Sequence, residues 1–128
     1  MKDLKVLGEG ANFTAVSAGR FDSLRDYMLP LGDGVVINGK VFTGEALKST
    51  GMEMSLQTFA PGEGSVFLHA HKHHEELYII IRGEGEFRVD DKLVSVAEGC
   101  LVRVAPAGKR ALRNTGNADM VVMCIQYK

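Results

Sequence analysis

Residues 61–83 read Pro61-Gly-Glu-Gly-Ser-Val-Phe-Leu-His69-Ala-His71-Lys-His73-His74-Glu-Glu76-Leu-Tyr78-Ile-Ile-Ile-Arg-Gly83. His69 and His71 stand two apart, Glu76 follows five residues after His71, and a glycine closes the segment. If 65–71 is a strand, its period of two puts both imidazoles on one face with Phe67, and Val66, Leu68 and Ala70 on the other. The run Glu76–Arg82 is β-branched and aromatic, so it predicts a second strand, with Glu76, Tyr78 and Ile80 sharing a face. Folding that strand back beside the first brings Glu76 to the two histidines. Two imidazoles and a carboxylate make a divalent-metal triad with coordination positions left open.

Working outward, almost everything from Val35 onward reads as strand. Met52–Phe59 alternates, with Met54 and Leu56 against Glu53, Ser55 and Gln57. Further short runs follow at 86–89, 92–96, 101–104, 109–114 and 120–127. Turn residues separate them at Pro61-Gly62, Gly83-Glu84-Gly85, Asp90-Asp91, Glu98-Gly99, Gly108 and Thr115-Gly116-Asn117. Short strands at this spacing predict an all-β sandwich or barrel. A parallel sheet would need helical crossovers, for which there is no room. The first 34 residues are less regular. Phe21, Leu24, Tyr27 and Met28 follow helical spacing after Asp22 or Ser23, either of which would cap a short helix that Pro30 and Gly32 then end. The expected division is an N-terminal extension, residues 1–34, packed on a barrel formed by residues 35–128.

Composition narrows the function classes. The 128 residues are 45% hydrophobic, enough for one domain with its own core. A formal net charge of −1 recruits neither nucleic acid nor an anionic membrane. No apolar run approaches the roughly 20 residues of a membrane span, and the N-terminus lacks the long apolar centre of a secretory signal. Cys100 and Cys124 sit far apart in apolar runs and read as reduced, buried thiols of a cytoplasmic protein. Neither cysteine has a sequence neighbour that would activate it. Gly8-Glu-Gly10 and Gly83-Glu-Gly85 lack the spacing of a dinucleotide loop. The basic residues Arg103, Lys109, Arg110 and Arg113 split across two strand faces, as a solvated rim does.

His69-x-His71-x4-Glu76-x6-Gly83 resembles the first motif of the cupin superfamily in residue type and spacing. The second cupin motif finds its best register at Gly99-x5-Ala105-x-Ala107-x2-Arg110-x3-Asn114. Gly99 and Asn114 fit, Pro106 and Gly108 are each displaced by one residue, and Arg110 stands where the family places a third histidine. The resemblance implies an all-β, double-stranded β-helix: a jelly-roll cupin barrel, here with a less regular N-terminal segment containing a short helix. It implies one divalent metal ion (Zn, Ni, Fe or Mn) on His69, His71 and Glu76, a pocket at the centre of the barrel, and a homodimer; Arg110 adds the expectation that the small organic ligand in that pocket is anionic. It leaves open whether the chain is an enzyme, and whether of oxygenase, isomerase, decarboxylase or lyase type. The alternative is a metal-free, non-catalytic module that binds or senses a small molecule.

Arg110 sharpens this choice, because a guanidinium stays protonated and cannot ligate a metal. A unit charge about 5 Å from a divalent ion costs on the order of 6 kcal/mol at an effective dielectric near 20, of which Glu76 offsets roughly half. Arg110 therefore has three outcomes: it grips a ligand carboxylate, it pairs with Glu76 in the absence of a metal, or its stem carries the charge out to solvent. Tyr78, on the face of Glu76, is the second candidate for ligand contact. His73 and His74 read as a solvated turn, with a replacement nitrogen as the sharper alternative.

Overall fold

The computed structural model describes residues 2–64 and 73–127. The strand expected at 65–71, and with it His69 and His71, lies outside the described residues. Two antiparallel sheets form the barrel. The larger runs β10 (Leu101–Val104), β7 (Glu76–Arg82), β12 (Met120–Tyr127), β6 (Met52–Phe59), β5 (Lys40–Phe42). The smaller runs β11 (Arg110–Asn114), β8 (Glu84–Val89), β9 (Lys92–Ala97). The fold is a β-barrel of jelly-roll type. Between the sheets lies a core of Phe59, Ile80, Phe87, Val96, Val104, Leu112, Met120 and Val122, all buried.

From β7 onward the chain crosses between the sheets at nearly every connection. Gly83 makes the sharpest crossing, a corner of one residue between β7 and β8. Its φ is +89°, and a Cβ there would lie 2.9 Å from Met120 Cα and 3.0 Å from the Asp119 carbonyl oxygen. Both the left-handed backbone and the lack of room call for glycine.

The N-terminal region is more regular than its sequence suggests. It forms two hairpins, β1 (Lys5–Gly10) with β2 (Phe13–Ser17) and β3 (Met28–Gly32) with β4 (Val35–Asn38). A 3₁₀ helix, Phe21–Asp26, lies between them, and a single α-helical turn, α1 (Gly44–Leu47), follows β5. The helix expected to reach Met28 stops at Asp26 because Met28 already pairs with Asn38. Pro30 ends no helix; it lies in a two-stranded sheet whose strands are both edges, where its missing N–H is tolerated. Asp33 and Gly34, at φ +54° and +77°, supply the positive-φ turn that joins β3 to β4.

Leu24 and Tyr27 pack on Leu56 and Val121 in a second buried cluster. Strand parity explains this cluster. Leu56 and Val121 sit on the face opposite the barrel interior, so the N-terminal segment covers an apolar outer face of the large sheet. The loop after β6 is tied down by Glu63, whose Oε1 accepts from the Ala60 N–H at 2.6 Å and from Arg25 Nη2 at 2.9 Å. The Ala60 bond first, and Arg25 second, hold the Glu63 carboxyl below its ordinary pKa. A depressed folded-state pKa gives stability that is present above the unfolded value and is lost as pH falls through the folded one. Glu63→Gln should therefore lose this increment at neutral pH and flatten the acid limb, so that its curve converges with that of the wild type as pH falls below about 5. Urea midpoints measured between pH 3 and 7 check this, and parallel curves for the two proteins would refute it.

Candidate functional site

The inner face of the large sheet is set by its register. Gln126 of β12 pairs with Glu53 of β6 and with Glu76 of β7. One step along, Cys124 pairs with Ser55 and Tyr78, and Ser55 also pairs with Phe42 of β5. The next row holds Val122 between Gln57 and Ile80, with Lys40 beyond Gln57. The period of two thus turns the polar half of β6 toward the barrel interior, while Leu56 faces out. These rows, closed by Phe59, Phe87 and Leu112, border a cavity of about 200 Å³. That is small for a ligand pocket and suits a molecule of a few heavy atoms.

Glu76 and Arg110 meet on the wall of this cavity. Arg110 Nη1 donates to Glu76 Oε1 at 2.8 Å, and the two residues are only 1% and 5% exposed. Tyr78 Oη donates to the same oxygen at 2.6 Å. Arg110 Nε donates to the Gly108 carbonyl at 3.1 Å, and Nη2 donates to the carbonyls of Ala105 and Gly108, both at 2.8 Å. Of its five N–H groups, one on Nη1 has no partner among the described residues. Of the three outcomes open to Arg110, the structure has the direct pair with Glu76, and the charge does not reach solvent. The displaced Gly108 and the loop starting at Ala105 thus supply carbonyls that seat the guanidinium.

The hydroxyl of Tyr78 is strongly held in its neutral form. Burial raises its pKa most, with Cys124 and Glu76 adding to the rise. Its ring stacks edge-on against Phe87, with centroids 4.8 Å apart. Cys124 is likewise pushed up to about 12, by burial first and then by Glu76. It does have polar neighbours, which its place in an apolar run concealed, but they keep it a thiol and a donor rather than a nucleophile. Cys100 and Cys124 are both free.

Among the described residues, Glu76, Tyr78 and Arg110 come together in one cavity. His73 and His74 are described but do not border it; His74 packs edge-on against Tyr127 at 5.9 Å. Lys40, Glu53 and Gln126 were not among the candidate site residues, and Cys124 was read only as a buried thiol, yet all four line the cavity. Alternation along β6 and β12 carried the signal, but only the register shows which strands lie side by side. No group of three or more His, Cys, Asp or Glu side chains suited to a metal occurs among the described residues. A metal here would draw on His69 and His71 as well as Glu76. By donor type, two imidazoles and a carboxylate suit such an ion, and the hydrogen bonds that Arg110 and Tyr78 give Glu76 are of the kind that orient a ligating carboxylate.

Comparison with known proteins agrees with this architecture. The cupin domain matches residues 55–126. A cupin protein from Bacteroides fragilis, known as a crystal structure, is 30% identical, with a TM-score of 0.67 over 78% of this chain and 81% of that one. An oxalate-binding protein from Thermotoga maritima is 29% identical over 94 residues, 73% of this chain and 77% of that protein. An uncharacterized protein of Methanocaldococcus jannaschii is 28% identical over 78 residues, a match that spans 62% of that relative's length. The matched segment runs from the middle of β6 to the end of β12 and contains the whole Glu76–Arg110 arrangement, and on that ground the chain belongs to the cupin family.

Proposed function

We propose that the barrel cavity binds one divalent metal, through His69, His71 and Glu76, together with a small organic anion. The observation that carries this reading is the buried Glu76 carboxylate on the cavity wall, fixed through Oε1 by Arg110 and Tyr78. When bound, such a metal supplies a Lewis acid that polarises a ligand oxygen. Arg110 positions Glu76 and offers the ligand its remaining Nη1 hydrogen. Tyr78 holds its proton on the side of Glu76 and walls the cavity.

Charge supports pairing the metal with an anion. The charged side chains lining the cavity, Lys40 and Arg110 against Glu53 and Glu76, cancel. A divalent ion adds two positive charges, which a dicarboxylate neutralises. The oxalate-binding protein among the relatives supports the same chemical class. The Glu76–Arg110 pair also favours a second reading. Without a metal, the described cavity is already balanced and suits an uncharged small molecule.

Metal content separates the two readings. The protein purified without an affinity tag should hold close to one equivalent of divalent metal. A His69→Ala, His71→Ala double variant should lose it, and with it the binding of oxalate measured by calorimetry. Equal metal in both proteins, or none in either, would remove the metal and leave the balanced cavity.

A further inference from the structure

Building on that anion-binding reading, we infer that the ligand also carries a hydroxyl group, making it a small hydroxycarboxylate rather than a bare dicarboxylate, and that Gln126 receives this hydroxyl. Gln126 borders the cavity, and its Oε1 is buried with no hydrogen-bond partner. A buried acceptor without a donor is uncommon in a folded protein, and at a binding cavity it points to a donor on the ligand.

The neighbours of Gln126 explain why the donor must come from the ligand. On one side its cross-strand neighbour is Glu53, and on the other it is Glu76. Oε1 of Glu53 already accepts from the backbone N–H groups of Gly44 at 2.7 Å and Met54 at 3.0 Å. A carboxylate has no hydrogen to give Gln126 in return. Neither neighbour in the row Glu53–Gln126–Glu76 therefore has a donor for Gln126 Oε1. A bare carboxylate placed against it would meet like charge on both sides, whereas a hydroxyl would donate to Gln126. The basic side chain on the same face, Lys40, belongs to the row of Gln57, four residues along β6 from Glu53, and its ammonium lies over the Phe42 ring, 5.0 Å from the centroid. An anionic group toward the Lys40 ammonium and a hydroxyl toward Gln126 match the polarity of this face.

A matched series of four-carbon acids tests this on the full chain. Succinate, malate and tartrate share two carboxylates and carry none, one and two hydroxyls. Calorimetric titration should show malate binding at least tenfold tighter than succinate. Gln126→Leu should abolish that gain and leave succinate within about twofold of wild type. Equal wild-type affinity for succinate and malate would overturn the inference and leave the anion site standing. So would a malate advantage that survives in Gln126→Leu. Binding of none of the three acids would overturn both. If Gln126→Leu fails to fold, the wild-type comparison of succinate with malate still decides.

Discussion

Arg110→Met should cost about 3–5 kcal/mol of folding stability, the usual loss when one member of a buried ion pair is removed. Against a domain stability of roughly 5–15 kcal/mol this is a large fraction. Methionine fills much of the space but donates nothing. Glu76 would keep a buried charge without its cation, and the Ala105 and Gly108 carbonyls would lose the donors that seat them. Lysine should rescue little, because a point charge on a flexible stem cannot bond Glu76 and two carbonyls at once. Removing both charges, as Arg110→Met with Glu76→Leu, should recover part of the loss, since two apolar groups no longer strand a charge. Urea unfolding of the four proteins measures this. A single Arg110→Met within about 0.5 kcal/mol of wild type, the range of ordinary surface substitutions, would mean that the pair contributes nothing. The same experiment bears on function, since ligand binding by an Arg110 variant can be compared with wild type only where the variant is folded.

The second large effect is expected at Asn114, which is wholly buried and uses both ends of its amide. Nδ2 donates to the carbonyls of Phe59 and Ala118, each at 2.8 Å, and Oδ1 accepts from the Gly116 N–H at 2.8 Å. Its backbone N–H donates to the Glu63 carbonyl, and its own carbonyl accepts from Gly62 N–H. One side chain thus joins the end of β6, the end of β11 and the turn before β12. Asn114→Ala leaves two carbonyls and one N–H without partners, at about 1–3 kcal/mol each before water enters, so a net loss of about 3–5 kcal/mol is expected. Asn114→Asp should be worse than Ala at neutral pH. It keeps the acceptor for Gly116 but turns a negative charge on two carbonyls. That deficit should shrink in acid, where the protonated carboxyl regains a donor. Thermal or urea unfolding of both variants at pH 7 and pH 4 checks the order. A mild Asn114→Ala would show that water replaces the amide without loss.

Much of the barrel was legible in the sequence because its strands alternate strictly. β6, β7, β10 and β12 have the limits their side chains suggest, and Gly83 falls where the chain must turn. Arg110, Leu112 and Asn114 share one face by strand parity, and all three are buried. The N-terminal hairpins were hidden for local reasons. Gly8 and Gly10 dilute the strand signal of β1, and the spacing of Phe21, Leu24 and Tyr27 imitates a longer helix. The Asp33-Gly34 turn is a strong hairpin signal that Pro30 masked. The cavity was half legible. Glu76, Tyr78 and Arg110 could be named from spacing and resemblance. Gln126 and Lys40 could not, because nothing local in a sequence says that Gln126 lies beside Glu76 across two strands.

The middle position of β12 in the large sheet bears on how the protein comes to be made. β6 and β7 are both hydrogen-bonded to β12, and Met52 pairs with Tyr127. During synthesis the large sheet therefore lacks its central member until residues 120–127 have left the ribosome. The strands produced earlier must wait with unpaired backbone, a condition in which chains fold slowly and associate wrongly. Acquisition of the native state, and of any ligand held by its cavity, accordingly waits on that strand.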